Sequence, residues 1–225
     1  MNSPVIRDAA SLILHRNISG AVHVLMGQRG QKAAFMPNKF VFPGGAVDLD
    51  DVNIPLMQPM EPACQEQLLH DCAPELARAL PVAAIRELWE EAGLILGSKA
   101  EWKTPPKDWE TYAQRGYRPS AEGFRFVFRA VTPIGPKRRF DARFFLVDAE
   151  NLESDPDDFS AASDELSHLQ WIELSNARSF DLPFITEVVL AEVEKHLKTG
   201  VRPSEVPYFK ATDKRNIFTR IPSVE

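Results

Sequence analysis

The chain predicts an α/β domain, and three observations carry that reading. Apolar runs of strand length come in turn-separated pairs, two stretches repeat their apolar residues at helical spacing, and 225 residues with 44% hydrophobic content suffice for one core with a sizeable insertion. Residues 9–15 and 21–26 are apolar, partly alternating runs around Asn17-Ile18-Ser19-Gly20, which has turn composition, so they read as a hairpin with Arg29 closing its second strand. Residues 35–43 then bring a short strand into Gly44-Gly45, where missing side chains permit close approach of backbone to a ligand.

From residue 52 to 80 the chain is an insertion, in which Pro55, Pro59, Pro62 and Pro74 interrupt any long periodic pattern. Short helices fit within 65–80, and Pro81 is expected in the first turn of the helix that follows, where proline lacks only an already unpaired N–H. A lid over a substrate and an irregular or packing element both remain open for this segment. The next helix carries Arg86-Glu87-Leu88-Trp89-Glu90-Glu91-Ala92-Gly93-Leu94. Glu87 precedes Glu90 by three residues and Glu91 by four, so the acids share a face, while Ile85, Leu88 and Ala92 turn inward and Gly93 suits the C-cap.

Residues 102–119 are dense in Trp, Tyr, Pro and Lys and predict a loop with a short helix near 108–115, its aromatics covering the core or stacking on a base. Two further strands are expected at 123–131 and 139–147, joined by a turn over 132–137. An acidic loop over 155–165 feeds a strand at 166–172 with Trp171 anchored in the core, residues 181–197 read as a helix, and 200–225 as a tail packed across the surface. No internal repeat is present.

The helical acids are the chemically informative feature. Like charges at i,i+4 cost a helix roughly 0.2–0.5 kcal/mol per pair, and a divalent cation removes that cost. All-oxygen ligands suit Mg2+ or Mn2+ and not zinc, which prefers His and Cys. Arg138, Arg139 and Arg143 bring guanidinium forks that suit phosphate oxygens, with ordinary strand arginines as the alternative.

A net charge of −6 argues against a general nucleic-acid or membrane-surface binder, and no run of about 18 apolar residues could span a bilayer. A free small-molecule partner is expected, with a homodimer allowed for. Cys64 and Cys72 lack a His partner at zinc-finger spacing and read as thiols, the N-terminus has no basic-then-apolar signal, and Pro222-Ser223-Val224-Glu225 is not a peroxisomal address. The expected compartment is the reducing cytoplasm.

The run Arg86-Glu87-Leu88-x-Glu90-Glu91-x-Gly93-Leu94 resembles the helical half of the Nudix hydrolase signature at every fixed position, and residues 44–51 resemble its loop half. Asp51 stands where the signature has Glu, and the insertion lengthens the spacing to Arg86. The resemblance covers about residues 9–197 and implies an α/β/α sandwich around a mixed sheet, with the insertion inside the signature and 1–225 forming one domain. It implies a Mg2+- or Mn2+-dependent hydrolase of a phosphoanhydride, with Gly45, Glu87, Glu90 and Glu91 holding metal. Glu87, Glu90 and Glu165 would serve catalysis, with Asp164 second to Glu165, and Arg86 would organise a box carboxylate. Arg29 joins Arg138 and Arg139 as expected substrate contacts. Phe35-Met36-Pro37, the interrupted signature and Arg138-Arg139-Phe140-Asp141 are similar to the branch that includes mammalian peroxisomal coenzyme A diphosphatase. That similarity implies coenzyme A or acyl-coenzyme A as substrate. The alternatives are ADP-ribose or another nucleoside diphosphate derivative, and a non-catalytic domain that senses a nucleotide.

Overall fold

The computed structural model describes residues 5–134, 138–200, 204–211 and 215–223. Strands β1 (Ile6–Ile18) and β2 (Ala21–Arg29) form the expected antiparallel hairpin. They are followed by β3 (Phe40–Val41), β4 (Gly44–Ala46), helices α1 (Pro62–Leu68) and α2 (Pro74–Ala92), and β5 (Gly97–Lys99). Next come α3 (Glu110–Ala113), β6 (Tyr117–Pro119), β7 (Arg125–Val131), β8 (Arg139–Asp148) and β9 (Leu166–Glu173). Helix α4 (Phe184–Thr199) and strands β10 (Glu205–Ala211) and β11 (Asn216–Pro222) complete the chain.

The main sheet runs β11-β10-β7-β8-β1-β2-β3, with β4 on β1 and β9 on β2. It is mixed, because β1 lies parallel to β8 and β10 parallel to β7 while the other neighbours are antiparallel. Side chains on a strand alternate between faces, and β1 shows the consequence. Ala10, Leu12 and Leu14 join α2 in one core, while Ile13 faces the other way with Val24 and Met26 and packs with Val189, Leu190 and Val193 of α4. Helices on both faces of a mixed sheet give the α/β/α sandwich.

Within α2 the expected inward face holds: Ile85, Leu88 and Ala92 are fully buried. Leu88→Ala should therefore cost about 2–5 kcal/mol, read from denaturant midpoints, and unchanged stability would contradict this packing.

Three expectations need correction. Pro81 lies inside α2, whose first turn is opened by Pro74 instead. The helix begins earlier because residues 74–80 continue its buried stripe through Ala77, Ala79 and Leu80, and this packing outweighs the hydrogen bond that Pro81 cannot give. Second, the C-terminal segment does not drape over the surface: it adds β10 and β11 to the sheet edge, burying Val206, Tyr208 and Ile221. Third, residues 117–119, read as loop, pair with residues 97–99 as a small separate sheet. Gly135-Pro136-Lys137 of the expected turn, Pro203 of the tail and Val224-Glu225 lie outside the described residues.

The insertion is a packing element in this structure. Met60, Cys64 and Leu68 enter the core, and the Arg129 guanidinium, bidentate to Asp141 at 2.9 and 2.7 Å, also donates to the His70 carbonyl at 2.6 Å. The aromatic segment likewise covers the core, with Trp109 and Tyr112 buried. Cys64 and Cys72 form no disulfide.

His196, buried in α4, gives the fold an acid sensitivity. Burial, reinforced by Arg125 and Lys195, pushes its imidazole down to about 4. As pH falls below 6.5 the unfolded chain gains a proton that the folded chain refuses, so stability is lost between about pH 6.5 and 4 and is unaffected above. The loss should be on the order of 1–2 kcal/mol after solvent screening, and His196→Gln should flatten that part of a melting-temperature profile.

Candidate active site

The acids of α2 sit against the Gly-Gly loop because β1 carries that loop across the helix. Gly45 of β4 pairs with Ala10 and Gly44 with Ser11, so the loop's backbone lies directly over the acid-bearing turn. A side chain could not fit there. A Cβ on Gly45 would lie 2.3 Å from Glu87 Oε1, and one on Gly44, whose φ is +154°, would lie 2.4 Å from the Ala10 carbonyl oxygen. At the helix end Gly93 takes the left-handed conformation, and its N–H closes on the Trp89 carbonyl at 2.9 Å, which gives the expected cap.

Arg86 organises the acids. Its Nε and Nη2 donate to the two oxygens of Asp51, each at 3.0 Å, while Nη1 donates to Glu87 Oε1 at 2.9 Å and Nη2 to the Ala46 carbonyl at 2.9 Å. Asp51 thus reaches the arginine although its side chain is a methylene shorter than the signature's Glu. Its Oδ2 also accepts the Asp48 N–H at 2.9 Å, which closes the loop. Both partners are almost wholly buried, and the acids hold the guanidinium more firmly protonated than usual despite burial.

Glu91 is 1% exposed. Its Oε2 accepts the Gly44 N–H at 2.7 Å, and its Oε1 has no hydrogen-bond partner. Burial first and then Glu87 push the Glu91 carboxyl well above the usual range. Burial also raises Glu87 to about 7 against the opposing pull of Arg86, and raises the half-exposed Glu90. Burial thus disfavours ionisation of all three carboxyls, against the opposing charge of Arg86 at Glu87 and Glu90 and of Arg29 at Glu91.

The acids do not converge on a single point as helical spacing predicts. Among the described residues, no three His, Cys, Asp or Glu side chains stand together as a ready metal cage. The cause is Arg86, whose Nη1 holds Glu87 and also lies 3.5 Å from Glu90, while Glu91 turns under the loop. The donor set nevertheless fits a hard divalent ion: all oxygen, anionic, with one buried oxygen atom unsatisfied.

Arg29 and Glu165 meet at the same place, joined at 3.1 Å, and both influence Glu91. Ser163 donates its N–H to the Glu90 carbonyl at 2.9 Å and so fastens the acidic loop to α2. Between them a cleft of about 790 Å3 opens, lined by Trp89, Glu90, Arg115, Ser163 and Glu165 among others. Asp164 does not line it.

Arg139 is placed differently. It pairs with Ile6 on β1, four residues along from Ala10, and its buried guanidinium donates to the carbonyls of Thr132 and Ala211. Its fork holds the strand ends together. Arg138 is exposed at the same end of β8, and Arg143 is buried against Asp8. Two residues at the site were not singled out from sequence. Asp48, 3.6 Å from Arg86, is one more acid of the quoted loop, and Arg115 sits in the aromatic segment, where only the fold shows what it faces.

No family model matches the chain. A curated Caenorhabditis elegans protein, "Putative nudix hydrolase 7", is 30% identical over 180 residues, which cover 74% of this chain and 51% of that protein. The chain thus spans about half the length of this curated relative. Among solved structures, a NUDIX hydrolase from Alicyclobacillus acidocaldarius aligns with a TM-score of 0.60 at 24% identity, covering 87% of this chain and 96% of that one. The MutT protein from Methanosarcina mazei Go1 aligns with a TM-score of 0.51 at 14% identity, covering 88% and 99%. These structural likenesses show the fold.

Proposed function

We propose that this chain, which shares its fold and signature residues with the Nudix hydrolases, is a divalent-metal-dependent hydrolase of nucleoside diphosphate derivatives. One observation carries the reading: a buried Glu91 oxygen without a partner, beneath a Gly-Gly loop and beside two further carboxylates that resist ionisation. Burying an anionic oxygen unsatisfied costs folding free energy, and a bound cation explains why such a site persists. The curated relative supports the same family.

Glu87, Glu90, Glu91 and the Gly45 carbonyl would hold Mg2+ or Mn2+. When bound, such ions offset the charge of a diphosphate, acidify the attacking water and stabilise the leaving phosphate. The chain's own residues do the rest. Asp51 and Ala46 hold Arg86 on two sides, so its fork orients Glu87 and Glu90 without itself meeting substrate. Glu165, exposed in the cleft and paired with Arg29, would take a proton from the attacking water. Arg29, paired with Glu165, would also offer its guanidinium to a phosphate oxygen. A non-catalytic nucleotide sensor is less favoured, since all three helical acids are retained.

Within this class we take coenzyme A or a short acyl ester as the preferred substrate, on the sequence resemblance of Phe35-Met36-Pro37 and Arg138 to Asp141 and on the interrupted signature. ADP-ribose is the second reading. A reducing compartment and a small-molecule partner belong to the same proposal. Coenzyme A should yield adenosine 3′,5′-bisphosphate and 4′-phosphopantetheine, resolved by mass. A kcat/KM for ADP-ribose well above that for coenzyme A would reject the finer reading and leave the hydrolase intact.

A further inference from the structure

The cleft beside Glu90 holds a cation that the hydrolysis does not use. Arg115 lies with its guanidinium carbon 5.6 Å from the centroid of the Trp89 ring. That ring is a fixed platform: its Nε1 donates to Thr111 Oγ1 at 3.0 Å, and it packs edge-to-face on Tyr112, which is fully buried and bonds the Leu96 carbonyl at 2.7 Å. Among the described residues the Arg115 guanidinium makes no hydrogen bond or ion pair, and Asp158, which feels its charge weakly, is fully exposed. Five N–H donors therefore stand open on an exposed side chain that lies over the Trp89 ring.

The surroundings restrict what could use them. Glu90 and Glu165 line the same cleft, and Trp89 closes one wall with its ring face taken by Arg115. A neutral ring stacking on the guanidinium would use none of its donors, whereas a phosphate monoester accepts from the fork in bidentate fashion. A diphosphate held at the acids of α2 must project its nucleoside half somewhere, and a cleft of about 790 Å3 opening at Glu90 has room for it.

Resting on the hydrolase reading above, we infer that this cleft takes the nucleoside half of the substrate and that Arg115 reads a phosphate monoester on that half, separate from the diphosphate being cut. Arg115 is then a specificity-determining residue, placed by Trp89 and Thr111. The role expected from sequence for Arg139 falls instead to an arginine more than twenty positions earlier, because Arg139 is committed to carbonyls of the sheet edge.

Equilibrium calorimetry without metal tests this with two nucleotides that differ by one phosphate, adenosine 5′-monophosphate and adenosine 3′,5′-bisphosphate. The wild-type chain should bind the bisphosphate about 10–100-fold more tightly, the worth of a charge-assisted bidentate contact. Arg115→Ala should bring the two within about 3-fold with an unchanged melting temperature, while Arg138→Ala should leave the preference in place. No preference in the wild type, a preference that survives Arg115→Ala, or one lost in Arg138→Ala would each overturn the inference. Turnover does not enter this readout, so a failed hydrolysis assay and a failed binding preference remain separate results.

Discussion

Glu91→Gln should lower metal-dependent turnover by about 10²–10³-fold while leaving the melting temperature unchanged or slightly raised. The replacement keeps the size of the side chain and its acceptor for the Gly44 N–H, so the loop stays seated. What it removes is one anionic ligand at a position that is 1% exposed and has an oxygen without a partner. Neutralising a carboxyl that burial already disfavours as an anion relieves a folding cost, which is why stability should not fall. Glu90→Gln should behave alike in activity, with less effect on stability because that side chain is half exposed. Wild-type kcat in either variant, alongside a normal melt, would remove the metal assignment.

Asp51→Asn should weaken both the fold and the activity. Arg86 donates two hydrogen bonds to Asp51 while both are almost fully buried, and breaking such a pair from one side leaves a charge without its counterion. The expected loss is about 3 kcal/mol, at the low end for a broken buried pair, since Glu87 and the Ala46 carbonyl still hold the guanidinium. Activity should fall as well, because Arg86 would no longer be held at the angle that presents Glu87 and Glu90. Asp51→Glu, by contrast, restores the length usual in the signature and should retain most stability. Chemical denaturation of the three proteins checks both outcomes, and equal midpoints for wild type and Asp51→Asn would show that the pair organises nothing.

The central strands and the acid-bearing helix were legible because their signals are local. The alternation in β1 assigns Leu12 and Ile13 to opposite cores without reference to any other segment. The same holds for the inward face of α2 and its Gly93 cap. Pro81 misled because its cost is local while its compensation, the burial of Leu80 and Val82 on either side, belongs to the tertiary structure. The tail misled for a related reason: β10 and β11 form a hairpin, but its place in the sheet depends on the parallel register of β10 with β7, some eighty residues earlier. Parallel pairing leaves no turn signature between its partners.

At the site the sequence identified the residue types and left their pairing open. Helical spacing put three acids on one side, yet it could not foresee that Arg86 would occupy the gap between Glu87 and Glu90 while Glu91 folded beneath Gly44. The contact between Asp51 and Arg86 joins residues on either side of the insertion, so its reach depended on how residues 52–80 packed. Arg115 was hidden for a simpler reason. An arginine among aromatics reads as surface until the fold turns it toward a cleft.

The most direct test of the account is hydrolysis of a diphosphate substrate in 18O-labelled water across a Mg2+ titration, with products resolved by mass. A metal-dependent phosphoanhydride hydrolase should give no turnover in chelator, a rate that rises with Mg2+, and a single label in one of two phosphate-bearing products. Turnover that is undiminished by chelator, or a label found on carbon in place of phosphorus, would contradict it.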